Sequence, residues 1–240
     1  MELTANKFKQ QASAALVDAQ LQKALGNVEK GFIGKRRIAA DALPEFDALR
    51  DNARDIKNHV LAHLDLYLEI YEKKVVESGG VVHWAEDAEQ ARAIVLDICR
   101  KANAKTVTKG KSMITEEVAL NDHLSANGIE PVETDLGEYI IQLRGEHPSH
   151  IIAPAVHLNK DQVEGDFRRV HTHLDPKRDL SEPVSLLSEA REVLRQRYFA
   201  ADVGITGANF LVAETGSSVI VTNEGNGDLT QTLGKVHIVM

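Results

Sequence analysis

Residues 105–117 read KTVTKGKSMITEE, a short run rich in β-branched residues that meets a run of helical composition across Gly110 and Ser112. The β-branched half predicts a strand over 105–109, and the second half predicts a helix over 113–127, closed by Asn127-Gly128. The same alternation continues on both sides. Upstream, VVHWA (81–85) reads as a strand, and 86–103 as a helix with Ala88, Ala91, Ile94, Val95, Ile98 and Cys99 on one face. Downstream, IEPVET (129–134) reads as a strand made peripheral by Pro131, LGEYIIQL as a short helix, and HIIAPAV (150–156) as a further strand. Strands alternating with helices of this length predict an α/β fold with a mainly parallel sheet flanked by helices.

The remainder extends this pattern. A helix is expected near 159–171, then a loop at DPKRDLSEP, then an amphipathic helix marked by Leu186, Leu187, Ala190, Val193, Leu194 and Tyr198. DVGIT (202–206) returns to strand, FLVAE and SVIVTN flank a hairpin turn at Thr215-Gly216-Ser217, and VHIVM reads as a buried strand. The first part of the chain is helical throughout. Residues 4–25 form one helix with a stop at Gly26-Asn27. From Pro44 an apolar stripe (Phe46, Leu49, Ala53, Ile56, Val60, Leu64, Tyr67, Tyr71, Val75) runs to Ser78-Gly79-Gly80. The expected division is a helical region over 1–78 and an α/β domain over 79–240, the latter cut short within its final strand.

Composition limits the function. With 28 basic against 36 acidic residues, net charge −8, a basic face for nucleic acid is not expected, although a local basic patch can still hold an anion. The one cysteine, Cys99, excludes a disulfide framework or a cysteine-ligated cluster within these residues, and it reads as inert core, as does Trp84. No apolar run reaches the ~20 residues of a membrane span. A cytoplasmic, soluble protein is expected.

Three segments carry candidate chemistry. In KGKS, Lys109, Lys111 and Ser112 sit where a strand end meets a helix N-terminus, which suits a carboxylate or phosphate. The plainer reading is a capped connection whose lysines face water. ETDLGE supplies Glu133, Thr134, Asp135 and Glu138, either as base, ligands or partners of the lysines, or as a cap with Glu138 closing a capping box. In 204–228, the expected hairpin register sets Ala208 and Asn209 opposite Asn223 and Glu224, with Glu214, Thr215 and Gly216 at the other end. Gly225, Asn226 and Gly227 let backbone approach a ligand closely. Glu224 is the candidate base. His59 and His63 have metal-ligand spacing but no third partner in sequence, and no metal site is expected; His171 and His173 suggest nothing.

KGKSMITEEVALN, ETDLGEYIIQL, PSHIIAPAVH, DVGITGANFLVAETGSSVIVTNEGN and TLGKVHIVM occur in the order that resembles the lactate utilisation protein B family, and RDNARDIKNHVLAHLDLYLE is similar to its N-terminal region. That resemblance implies a fold like that of ribose-5-phosphate isomerases and coenzyme A transferases. It also implies a part in a multi-subunit system that oxidises L-lactate to pyruvate and passes electrons on. Members continue into a region whose cysteines hold two [4Fe-4S] clusters; no cofactor is expected within this chain. The alternatives are a free-standing acyl transferase or sugar-phosphate isomerase using Glu224 or Glu214, and a non-catalytic assembly module that meets a partner or a second copy through its long helix.

Overall fold

The structure, a computed structural model, describes residues 5–240. It resolves into two compact units, one of residues 83–210 and 219–240, the other of the described residues up to 82 together with 211–218.

The larger unit is α/β, as the alternation predicts. Its sheet contains β1 (Thr106–Gly110), β2 (Glu130–Glu133), β3 (Val203–Thr206) and a last strand, Val236–Val239, in the order β2-β1-β3-last. All three pairings are parallel, with Val107 opposite Pro131 and Val203, and Lys109 opposite Glu133 and Ile205. β2 is an edge strand, which tolerates Pro131 as the sequence suggests.

Two hydrophobic clusters cover the sheet. One joins Val107, Val203 and Ile205 to Val95, Leu96, Cys99, Leu120 and Leu124. These last come from the helices Ala88–Lys101 and Leu120–Ala126. The other joins Val132 to Tyr139, Ile140, Phe167, Leu186, Ala190, Leu194 and Tyr198, from helices Leu136–Arg144, Lys160–Val170 and Pro183–Ala200. Strand side chains alternate between faces, so Val107 and Lys109 share the first face while Thr108 and Gly110 belong to the second. Asp87 caps the first of these helices by accepting from Gln90 N (2.8 Å), and Asn159 forms a full capping box with Gln162.

Several expectations are corrected. VVHWA is not a strand: Val81 is 73% and Trp84 57% exposed, so Trp84 is not core. HIIAPAV is a series of bends and turns with Ile151 and Ile152 exposed. β-Branched composition favours extended backbone but supplies no ladder partner, and neither segment has one. The helix over 113–127 is broken into Met113–Glu117 and Leu120–Ala126 by Ala119 in the left-handed region (φ 51°). That break lets Leu120 and Leu124 both reach full burial. The last strand is a half-exposed edge, not a buried one. An unanticipated helix, Asn226–Leu233, connects it to β3. Gly204 permits the close approach of that helix, because a Cβ there would lie 1.8 Å from Thr230 O.

The helical unit holds Phe8–Val17, Ala19–Val28, Gly34–Asp41, Phe46–Ala62 and Leu64–Glu77. The expected stop at Gly26-Asn27 does not occur; the helix runs to Val28 and passes into a π-helical turn, Glu29–Ile33. The apolar stripe from Phe46 is helical, with a break at His63 (φ −134°, ψ 36°). The turn of the hairpin formed by Phe210–Val212 and Ser217–Val219 also belongs here, where Gly216 (φ 70°) packs against Val75.

Candidate functional site

The chain leaves β1 for β2 on one side and later returns to β3 on the other. The carboxyl ends of β1 and β3 therefore flank a topological switch point, where open parallel sheets bind ligands. Three loops meet there: 110–112 after β1, 134–135 after β2, and 224–226 before the helix Asn226–Leu233.

On the β2 side the strand end is closed. Lys109 is 1% exposed, and its Nζ contacts Glu133 Oε1 (2.7 Å), Glu116 Oε1 (2.8 Å) and Thr115 Oγ1 (2.9 Å). Three acceptors use all three N–H bonds of the ammonium, so nothing remains for an incoming anion. Burial works against the Lys109 charge, yet Glu133 and Glu116 outweigh it and raise the pKa. Asn121 Nδ2 donates to Glu133 Oε1 (2.6 Å), and Glu133 N donates to Gln142 Oε1 (3.0 Å). The expectation that Lys109 receives a ligand is replaced by an internal ion pair. Glu138 does not complete a capping box; burial first, then the Glu133 charge, pushes its carboxyl up to about 8.

On the β3 side the end is open. Lys111 takes a left-handed conformation (φ 57°) that turns its side chain out of the strand alternation. Its Nζ contacts Asp135 Oδ2 (3.0 Å) and the half-exposed Glu224 Oε2 (3.3 Å), which leaves one N–H unassigned. Burial opposes its charge, but Asp135 and Glu224 raise its pKa overall. Asp135 caps the helix Leu136–Arg144 by accepting from Gly137 N (3.2 Å), as the sequence suggests.

Asn226 opens the helix Asn226–Leu233 after Gly225 (φ 72°), and no side chain caps that end. It is 6% exposed; Oδ1 accepts from Gly227 N (2.9 Å), while Nδ2 is buried without a partner. A Cβ on Gly110 would come within 3.8 Å of that Nδ2 and 2.6 Å of Thr134 Oγ1. Thr134 Oγ1 donates to Lys109 O (2.9 Å) and meets Thr230 Oγ1 (3.2 Å); burial raises the pKa of the Tyr198 hydroxyl overall, against a lowering by both threonines. Gly207 brings β3 against this turn, since a Cβ there would lie 2.3 Å from Lys111 O.

The other predicted residues fall as follows. Ser112 occupies an N-cap position without a cap bond, and its hydroxyl donates to Met240 O (3.2 Å). Asn209 pins the hairpin, donating N–H to Val219 O (2.8 Å) and accepting from Val221 N (2.7 Å). The expected register opposite Asn223 and Glu224 is thereby corrected; strand pairing stops at Val219, and Asn223 is simply exposed. Glu214, Thr215 and Gly216 form the hairpin turn in the other unit, where Gly216 N donates to Val212 O (2.9 Å).

Sequence reasoning missed Thr230 and Tyr198, because the helix that carries Thr230 went unrecognised. It also missed His171, which is 2% exposed. Its Nδ1 donates to Glu189 Oε1 (2.7 Å) and its Nε2 meets Tyr139 Oη (2.8 Å), while Arg178 holds the same carboxylate. Burial opposes the Glu189 charge, but Arg178 and His171 outweigh it and keep it ionised. The group ties three helices together.

Among the described residues no set of three His, Cys, Asp or Glu side chains is placed to hold a metal, and no helix is long and apolar enough to cross a membrane. Iron–sulfur ligation does not fit these residues either. Clusters of that kind need several thiolates, whereas Cys99 is alone and fully buried, its thiol pushed up to about 11 by burial.

Fold and site together define an α/β domain with a polar cluster at the end of a parallel sheet. Residues 68–240 match the LUD domain model, and the chain belongs to that family. It is 41% identical over its full length to lactate utilization protein B of Bacillus licheniformis and 40% identical to that of Bacillus subtilis. It is also 39% identical, over 97% of its length, to the uncharacterized electron transport protein YkgF of Escherichia coli. The chain spans about half the length of these curated relatives. No solved structure matches it significantly.

Proposed function

We propose that this chain is the ligand-binding α/β part of a cytoplasmic lactate-utilisation protein, and that a small carboxylate, L-lactate or pyruvate, seats between Lys111 and Asn226. The observation that carries this reading is the buried, unpartnered Nδ2 of Asn226, packed against Gly110, the residue before Lys111, at the switch point. A buried amide donor without an acceptor costs about 1–3 kcal/mol, which a carboxylate oxygen would recover. The second oxygen would take the remaining N–H of Lys111, with the exposed Glu224 swinging into water or accepting the substrate hydroxyl proton. The names of the relatives supply the substrate class and the link to electron transport.

Oxidation of lactate to pyruvate releases two electrons and two protons. No residue here accepts the electrons, so a flavin or the two [4Fe-4S] clusters expected of the full-length family protein must do so, held by a partner subunit or by cysteines outside these residues. In a competing reading, suggested by the fold that the family resemblance implies, the same polar cluster takes a phosphate or a thioester. A thermal-shift titration with L-lactate, pyruvate, phosphate and coenzyme A separates the two. The expected result is stabilisation by lactate or pyruvate, ~2.7 kcal/mol at a hundred times the dissociation constant, lost in Lys111→Ala. Stabilisation by coenzyme A or phosphate alone would transfer the site to the competing reading.

A further inference from the structure

Behind the polar cluster lies a pair of carboxyl groups that the proposed binding does not use. Glu133 ends β2 and is 2% exposed. Its Oε1 receives Lys109 and Asn121, and its Oε2 is buried with no donor from any N–H or hydroxyl group. Glu138, in the first turn of the helix Leu136–Arg144, lies one helical turn before Gln142, which accepts from Glu133 N (3.0 Å), and its own Oε2 is likewise buried without such a donor. Ionised carboxylates are acceptors only, so a hydrogen bond between two of them requires a proton.

The surrounding charges agree. Five carboxyl groups, Glu116, Glu133, Asp135, Glu138 and Glu224, gather around two ammonium groups, Lys109 and Lys111. Glu138 feels Lys109 from β1, Glu133 from β2 and Asp135 from its own helix cap. Glu133 in turn feels Glu116 and Asn121 from the two short helices after β1. Ionising Glu138 would add a buried charge with no cation of its own.

We propose that Glu133 and Glu138 hold one proton between them, and that filling the Lys111–Asn226 seat with a carboxylate strengthens the pair's hold on it. The coupling rests on the binding site proposed above and runs through Asp135. Lys111 neutralises Asp135, and Asp135 caps the helix three residues before Glu138, where its charge adds to burial in raising the Glu138 carboxyl pKa. A bound carboxylate draws on the Lys111 field and adds its own negative charge, which makes ionisation of the pair harder. By linkage, a protonated pair then favours the bound anion equally. Burial and the Glu133 charge place the Glu138 transition at about 8, and Lys111, its own pKa raised, stays charged across it.

Two measurements on the full chain decide this. Infrared spectra of the ligand-free protein should show a protonated-carboxyl stretch at neutral pH that disappears through pH ~8 and is missing from Glu138→Gln, which keeps the hydrogen bond without the titrating proton. Calorimetric titration with sodium L-lactate at constant ionic strength should show affinity falling up to tenfold per pH unit above about 8, with Glu138→Gln flat across that range. An absent stretch, or one unchanged in Glu138→Gln, overturns the shared proton. Equal pH dependence in both proteins overturns the coupling. Failure of lactate to bind at any pH removes the binding site and the coupling together, while the infrared band still decides the pair.

Discussion

Lys109 and Lys111 stand two residues apart at the end of one strand, and their surroundings differ in kind. The β2 side buries Lys109 among acceptors that satisfy every N–H it has. The β3 side leaves Lys111 one bond short, and the neighbouring Gly110 packs near an amide nitrogen with no partner, Asn226 Nδ2. A saturated buried ion pair specifies structure, since its charges are already neutralised and its desolvation is offset internally. An incomplete polar set at a switch point is what a ligand can finish. The contrast teaches that a basic motif is read by what its cations already hold, and KGKS holds two unlike lysines.

The largest expected effect attacks the closed side. Lys109→Met leaves Glu133 buried without its cation and should cost about 3–5 kcal/mol in chemical denaturation, with Glu133→Gln recovering part of the loss in the double variant. Lactate affinity of the folded fraction should change little; a large affinity loss at unchanged stability would merge the two sides. Next is Gly204→Ala, whose Cβ would meet Thr230 O at 1.8 Å and force the helix Asn226–Leu233 away from the sheet. A loss of about 1–3 kcal/mol is expected, together with weakened binding, because that helix carries Asn226.

Asn226→Ala reverses the order of effects. It removes an unsatisfied donor as well as the bond to Gly227 N, so stability should move by less than about 1 kcal/mol while lactate affinity drops about tenfold or more. The smallest effect is on pH dependence. Glu138 has its carboxyl raised from 4.5 to about 8, so the folded chain binds more protons than the unfolded one between those values. Stability should therefore fall as pH rises from about 4.5 to about 8 and level off above, and Glu138→Gln should flatten that slope in denaturant titrations.

The sheet was legible because local signals and tertiary demands coincide in it. KTVTK, IEPVET and DVGIT combine β-branched residues with flanking helices whose apolar spacing and caps, Asp87 and Asn159 among them, are written locally. VVHWA and HIIAPAV carry the same composition, but whether a ladder partner exists is decided elsewhere in the chain. The helix Asn226–Leu233 was hidden by Gly225 and Gly227, which read as a loop although Gly225 is the left-handed residue that starts the helix. That omission kept Thr230 and Tyr198 out of the candidate site and left Asn226 there only as a loop amide. Lys111, Asp135, Glu224 and Asn226 were all named from sequence; their sorting around an open seat required the positive φ of Lys111 and the true hairpin register. The helical unit shows the opposite limit. Its apolar stripe is plain in sequence, yet none of its five helices has a buried residue among those described, so periodicity located the face without supplying a core.

The most direct test of the open seat is a nuclear magnetic resonance titration of the labelled chain with L-lactate, following the Asn226 side-chain amide and the Lys111 ammonium region. Saturable shifts of the Asn226 Nδ2 protons and of Lys111, with the Lys109 signals unmoved, are the predicted result. Shifts centred on Lys109, or none at Asn226 at saturating lactate, would contradict the account.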